Sequence, residues 1–218
     1  IIQKIYESFN MKCFENKDKY DILKTSIRRY NMKICFVRHG QTDANKNGLI
    51  QGVSDHPLNE TGIKQAKEAA KLIKKKFPYF NAIISSSLSR AKKTAEVIKE
   101  DLKFKGEIII DDHFIERSFG PYENHKVTDE VYIKLTSENT EGLEPFKDLQ
   151  KRGIEGILEL EKKYKGKNII IATHAQILKA IVCFIDPKFD FKTVIYNGSL
   201  NIISVKNQKM KIEKLNIY

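Results

Sequence analysis

A chain of 218 residues, 41% of them hydrophobic, is long enough to enclose one sizeable core and too short for two comfortable domains. No apolar run approaches the ~18–20 residues that a membrane-spanning helix needs, and the first residues lack the continuous apolar stretch of a secretory signal, so a cytoplasmic protein without a membrane partner is expected. The formal charge of +11 comes mainly from lysines on predicted helix faces, such as Lys71, Lys74, Lys75 and Lys76; no aromatic-interleaved basic patch or nucleic-acid-binding module accompanies them, so nucleic acid is not an expected partner. The positive field does favour anionic substrates. Cys13, Cys35 and Cys183 lie far apart without metal-ligand spacing, and the latter two sit in apolar runs, as reduced core thiols do.

Residues 1–31 place Ile1, Ile2, Ile5, Tyr6 and Phe9 on roughly one helical face and then turn polar from Glu15 to Asp21. A packed helix, an arm and a segment upstream of the true start all fit this N-terminal extension. From residue 32 to 218 the pattern alternates. Strands are predicted over 33–38, 81–86, 107–111, 168–173, 199–205 and 209–216, the last as an edge ribbon. Helices are predicted over 60–76, 88–101, 126–138, 145–164 and 175–185. Asn59 or Thr61 suits the cap of the first of these helices, Pro78 its end, and Pro145 the first turn of the fourth. Such alternation implies an α/β fold, a three-layer α/β/α sandwich on a mainly parallel central sheet.

The most informative stretch is Lys33–Gly40. Ile34 to Val37 form a continuous apolar run, as in a strand buried on both faces, and the run ends abruptly in Arg38, His39 and Gly40. The carboxyl end of a buried strand is where open α/β sheets place their ligands. A guanidinium, an imidazole and a glycine there suit an attacked phosphoryl group.

Further blocks follow in order. Thr42 and Asn45 trail the Arg-His-Gly. A Gln51-Gly52 pair precedes Asp55, Pro57, Leu58 and Gly62. Ser85-Ser86-Ser87-Leu88-Ser89-Arg90-Ala91 leads to Thr94-Ala95. Glu116 precedes Phe119-Gly120 and Glu123, and the strand Ile169–Ile171 runs into Thr173-His174. From Met32 onward these blocks resemble the histidine phosphatase superfamily, also called the phosphoglycerate mutase-like family. The chain departs from that pattern at Leu49, where many members carry a basic residue, at Ser87 in place of a proline, and at Ala175 in place of a glycine.

The residues themselves supply the chemistry. A neutral imidazole is a competent nucleophile toward phosphorus without a metal. Arg38 and Arg90 offer planar forks for phosphate oxygens, and His174 a further donor. Thr42, Asn45 and the backbone at Gly52 complete the oxygen contacts. The leaving alkoxide needs a proton, which a carboxylic acid of raised pKa gives; Glu116 is the candidate and Glu123 its competitor. The resemblance implies the same roles, with His39 as the phosphorylated nucleophile, Glu116 as proton donor and later activator of water, and substrate contacts from Arg38, Thr42, Asn45, Gln51, Gly52, Arg90 and His174. It implies no cofactor and no metal.

In the mutase branch the segment between the acid and the second histidine is longer and carries an arginine pair for the substrate carboxylate. Here positions 117 to 173 offer Lys134, Lys147, Lys151 and Arg152 but no adjacent pair, although the Glu116-Arg117 step is also seen in mutases. The expected activity is therefore a phosphatase acting on a small phosphorylated metabolite. The alternatives are a 2,3-bisphosphoglycerate-dependent phosphoglycerate mutase and a non-catalytic binding protein on the same fold. Oligomeric state has no signature in the sequence.

Overall fold

The strand that opens the pattern sends Ile34 and Phe36 to one face of a sheet and Cys35 and Val37 to the other, and all four are fully buried. A strand buried on both faces requires a helical layer on each. The computed structural model describes residues 31–128, 130, 131, 135 and 140–218, so residues 1–30 of the extension, with Cys13, lie outside the described residues. The strands are β1 (Met32–Arg38), β2 (Ala82–Ser85), β3 (Ile108–Ile110), β4 (Asn168–Thr173), β5 (Leu200–Lys206) and β6 (Lys209–Ile217). They form one sheet in the order β3-β2-β4-β1-β5-β6. The first four in that order pair in parallel, while β5 and β6 pair antiparallel, closing one side as a hairpin.

The helices are α1 (Asp43–Lys46), α2 (Glu60–Lys76), α3 (Ser89–Asp101), α4 (Phe146–Lys163) and α5 (Ala175–Ile185). On one face Ile34, Phe36, Ile169 and Ile171 pack with Leu149 and Ile157 of α4 and Ile177 and Ile181 of α5. On the other face Cys35, Val37, Ile170 and Ala172 pack with Ala69 and Ile73 of α2 and Ala95 and Ile98 of α3. The result is the expected three-layer α/β/α sandwich. Each buried Ile or Leu side chain contributes roughly 1.5–3 kcal/mol, so these two clusters are the main source of stability. Burial in the second also pushes the Cys35 thiol up to about 12.

The local signals operate largely where the sequence places them. Asn59 caps α2, its side chain accepting from the Gly62 amide, and the helix ends one residue before Phe77 and Pro78. Pro145 stands one position earlier than expected, as the extended cap residue of α4 (φ −57°, ψ 138°) rather than inside its first turn. The helix predicted over 126–138 falls mostly outside the described residues, with Glu130, Val131 and Leu135 helical. Lys134 lies outside them as well. Two short 3-10 turns, Asp112–Phe114 and Gly120–Tyr122, and the four-residue α1 had no periodic signal to reveal them.

One backbone contact fixes the loop after β1. A Cβ at Gly40 would lie 2.2 Å from the Gly62 carbonyl oxygen, and a Cβ at Gly62 would lie 2.1 Å from that of Gln41. The first turn of α2 therefore rests directly on the backbone beside His39, which only glycines permit. Alanine in a helix ordinarily stabilises by about 1 kcal/mol over glycine. Gly62→Ala should do the reverse and destabilise by about 1–3 kcal/mol, because neither contacting atom belongs to a side chain that can move aside. Denaturant unfolding of the variant checks the sign.

Candidate active site

Parallel strands in register deliver their carboxyl ends to one edge, and the site is assembled there. Arg38 of β1 pairs with Thr173 of β4, and the His39 amide donates to the Thr173 carbonyl at 2.9 Å. The next residues, His39 and His174, are thereby neighbours, with ring centroids 5.1 Å apart. Ser85 of β2 pairs with Ala172, which brings Ser86 to the same edge; its Oγ lies 2.6 Å from His174 Nε2. Arg90 arrives from the first turn of α3. Its guanidinium donates to the carbonyls of Gly52 (2.6 Å) and Ser54 (2.8 Å), so the 52–54 loop holds it in place.

His39 Nδ1 lies 2.7 Å from the Gly40 carbonyl oxygen. A carbonyl only accepts, so Nδ1 carries the hydrogen and Nε2 keeps the lone pair. Burial, followed by the charges of Arg38 and Arg90, holds the His39 pKa well below the ordinary imidazole value. At neutral pH the imidazole is neutral. Burial, followed by the charges of Arg90, His39 and Arg38, likewise depresses the His174 pKa. Burial also lowers the Arg38 pKa, to about 10. Three buried nitrogens, Nε of Arg38, Nε of Arg90 and Nδ1 of His174, have no partner among the described residues. An anion is the ligand such a cluster suits.

Glu116 reaches the site from the loop after β3. Its carboxylate accepts from the amides of Arg117 (3.0 Å), Gln176 (3.0 Å) and Ile177 (3.1 Å). His174 is the residue before α5 and makes no side-chain cap bond, so Glu116 caps that helix from another segment. Glu116 and His174 are thus fixed to the same helix end. Arg152 holds the Glu116 backbone from behind, donating to the carbonyls of His113, Ile115 and Glu116 while pairing with both carboxylate oxygens of Glu144 at 2.7 and 3.0 Å. Glu123 has another task. It accepts from the amides of Val53, Ser54 and Phe119 and from the Ser54 hydroxyl, clamping the loop whose carbonyls hold the Arg90 guanidinium. Burial opposes its charge, but these hydrogen bonds outweigh it and hold its pKa below the usual carboxylate value.

These groups open on a cavity of about 560 Å³ lined by Arg38, His39, Asn45, Gln51, Gly52, Arg90 and Glu116, among others. Thr42 and His174 do not line it. Thr42 is fully buried, caps α1 and donates to Gln51 Oε1 at 2.8 Å, whereas His174 lies behind His39. Lys147, Lys151 and Arg152 do not line it either. Sequence reasoning assigned no role to Ser86, nor to Asn197, which donates to the His39 carbonyl at 2.9 Å. It named Arg117 only as part of the Glu116-Arg117 step, and passed over Gln176, Lys179, Phe191 and Lys192 of the lining. The spacing of Lys179 from Ala175 and Gln176 was the one available signal, since it places all three on one face of α5.

The sequence signature of the histidine phosphatase superfamily (branch 1) matches residues 34–218. The chain belongs to this superfamily. An uncharacterized phosphatase, PhoE, of Bacillus subtilis is 34% identical, covering 84% of this chain and 94% of its own. A metal-independent phosphoserine phosphatase of Arabidopsis thaliana is 33% identical over 83% of this chain and 79% of its own. A 2,3-bisphosphoglycerate-dependent phosphoglycerate mutase of Parvibaculum lavamentivorans is 30% identical over 70% and 79%. The solved phosphoserine phosphatase of Entamoeba histolytica in complex with 3-phosphoglyceric acid superposes with a TM-score of 0.72 at 25% identity, over 86% of this chain and 98% of that one. Superfamily members of both kinds, phosphatase and mutase, thus share this architecture, and the chain is an enzyme of that class. Among the described residues no helix is long and apolar enough to cross a membrane.

The two buried imidazoles make stability depend on pH. Both are neutral when folded and regain an ordinary value near 6.5 when unfolded, so their contribution is full above about pH 6.5 and is lost as pH falls toward the depressed folded values. The slope is as much as about 1.4 kcal/mol per pH unit for each histidine. The stability difference between wild type and His174→Asn should therefore shrink from pH 7 to pH 5. A pH-independent difference in denaturant unfolding would contradict the assignment.

Proposed function

We propose that the chain is a metal-independent phosphatase that hydrolyses small phosphomonoesters through a phosphohistidine on His39. The observation that carries this reading is the neutral His39, its Nε2 lone pair left free, with Arg38, Arg90 and Glu116 lining the same cavity. In the first step Nε2 attacks phosphorus, Arg38 and Arg90 neutralise the equatorial oxygens, and the ester P–O bond breaks. The leaving oxygen takes the proton of Glu116. Water then attacks the phosphorus of phospho-His39 and gives its proton to the Glu116 carboxylate; the P–N bond breaks, releasing inorganic phosphate.

Glu116 is favoured over Glu123 as the acid because Glu116 lines the cavity, whereas the Glu123 carboxylate is engaged by the 52–54 loop and Phe119. Phosphatase is favoured over mutase because Arg152, the strongest candidate for holding a substrate carboxylate, already binds Glu144 and three carbonyls away from the cavity. The mutase alternative draws on the cations Arg117, Lys179 and Lys192, which do line it. The assembled arginines and neutral nucleophile weigh against a non-catalytic role. The domain that carries this activity is taken as residues 32–218.

His39→Ala should lower phosphatase turnover roughly 10³-fold or more while leaving the fold intact. Acid-labile phosphate should be trapped on His39 of the wild type. Phosphate release from small phosphomonoesters should persist in EDTA, and interconversion of 2- and 3-phosphoglycerate should be poor even when 2,3-bisphosphoglycerate is supplied. Robust mutase turnover with negligible phosphate release would replace this reading by the mutase one.

Glu116→Gln should slow alkyl phosphates by about 10²–10⁴-fold, the usual size of a general-acid contribution, and activated aryl phosphates far less. A leaving-group series measured on this variant and on Glu123→Gln separates the two carboxylates. If the dependence follows Glu123, the acid is misassigned.

A further inference from the structure

The cavity carries more positive charge than one phosphoryl group on Arg38 and Arg90 requires. Arg117, Lys179 and Lys192 also line it, against one lining carboxylate among the described residues, that of Glu116. Arg117 is engaged by the carbonyls of Glu144 and Leu135. Lys179 is different. It stands half-buried on α5, its Nζ 2.8 Å from the Phe191 carbonyl oxygen and 5.0 Å from the centre of the Phe191 ring. No carboxylate pairs with it among the described residues. An ammonium has three donors, and the carbonyl takes one of them. Burial, then repulsion from Arg38, lowers the Lys179 pKa, while Glu116 opposes the shift. Lys192 follows Phe191 on the same loop and is exposed. The rest of the lining includes the apolar side chains of Leu49, Ile50, Phe119, Val127, Leu135 and Phe191.

A half-buried cation without a counter-ion is poorly solvated until an anion reaches it. A ligand that uses the whole lining has a phosphoryl group on His39, a carbon segment against the apolar side chains and a second negative charge at the lysines. We propose that the site takes phosphomonoesters carrying a second anionic group, a carboxylate or another phosphate, and that Lys179, aided by Lys192, binds that group. This rests on the phosphatase reading above. Lys179 is then a specificity-determining residue: its hydrogen bond to the remote anion supplies binding that an uncharged alkyl phosphate lacks.

The test uses three phosphomonoesters of matched length, ending in a methyl, a carboxylate or a second phosphate. Phosphate release gives kcat/KM for each in the wild type, Lys179→Met and Lys179→Arg. The wild type should prefer the two charged substrates, and Lys179→Met should cut that preference by roughly tenfold or more, the loss expected for a charge-assisted hydrogen bond. Lys179→Arg should retain most of it. A folding defect scales all three rates alike and leaves the ratio unmoved, and whichever charged substrate loses more identifies the anion. A preference unchanged in Lys179→Met overturns the proposal while leaving the phosphatase reading intact. Release from none of the three by the wild type overturns the phosphatase reading instead. Calorimetric binding of the same compounds to His39→Ala, with and without Lys179→Met, then decides the role of Lys179: tighter binding of the charged compounds that vanishes with the lysine supports it, and equal binding refutes it.

Discussion

The in-register parallel pairing of β1 with β4 is the constraint on which the site depends. Because Arg38 stands opposite Thr173, the residues that leave the two strands, His39 and His174, emerge side by side. A shift of one position would turn the side chains of one strand to the opposite face. Register is secured in turn by burial on both faces, since a slip would bring Ile34 and Phe36 out of one helical layer and Cys35 and Val37 out of the other. The hydrophobic core and the catalytic geometry are therefore one interaction seen from two ends of the same strands.

The second theme is desolvated positive charge. Two guanidinium groups and two imidazoles share a largely water-excluded edge, and each is accommodated differently. The arginines donate to carbonyls, Arg38 to that of Ile195 and Arg90 to those of Gly52 and Ser54. The histidines shed their protons, which leaves both imidazoles neutral. Carboxylates form an outer ring that fixes position. Glu123 clamps the loop under Arg90, and Glu144 with Arg152 braces the segment bearing Glu116. Glu116 itself takes the amides at the start of α5, so this carboxylate and the helix that follows His174 cannot move independently.

The order of elements was legible because each left a local trace. Ile34–Val37 and Ile169–Ile171 are apolar runs of strand length, Asn59 and Pro78 bracket α2, and parallel α/β alternation admits few topologies. The spacing of Arg38, His39, Arg90 and His174 was equally legible, because Arg38 ends a strand, His39 and His174 follow strands and Arg90 lies in the first turn of a helix, while Glu116 rests on the loop after β3. What each of those side chains touches was not. Thr42 reads as a phosphate contact beside His39, yet it is buried beneath Gln51 as the cap of a four-residue helix too short to show periodicity. Arg152 reads as a cation for the substrate, yet its guanidinium is engaged by carbonyls and a carboxylate brought from residues 113 to 144.

The sequence by itself determined the layers, the strand ends and the identity of the reactive groups, because these follow from residue type and short spacing. Only the tertiary structure decided which imidazole nitrogen is free, which glutamate faces the cavity and which lysine meets its wall. Those depend on atoms from segments distant in the chain, such as Gly62 against Gln41, Asn197 against His39 and Lys179 against Phe191, whose mutual approach leaves no periodicity to read. Charge type is a property of a residue, whereas its partner is a property of the packing.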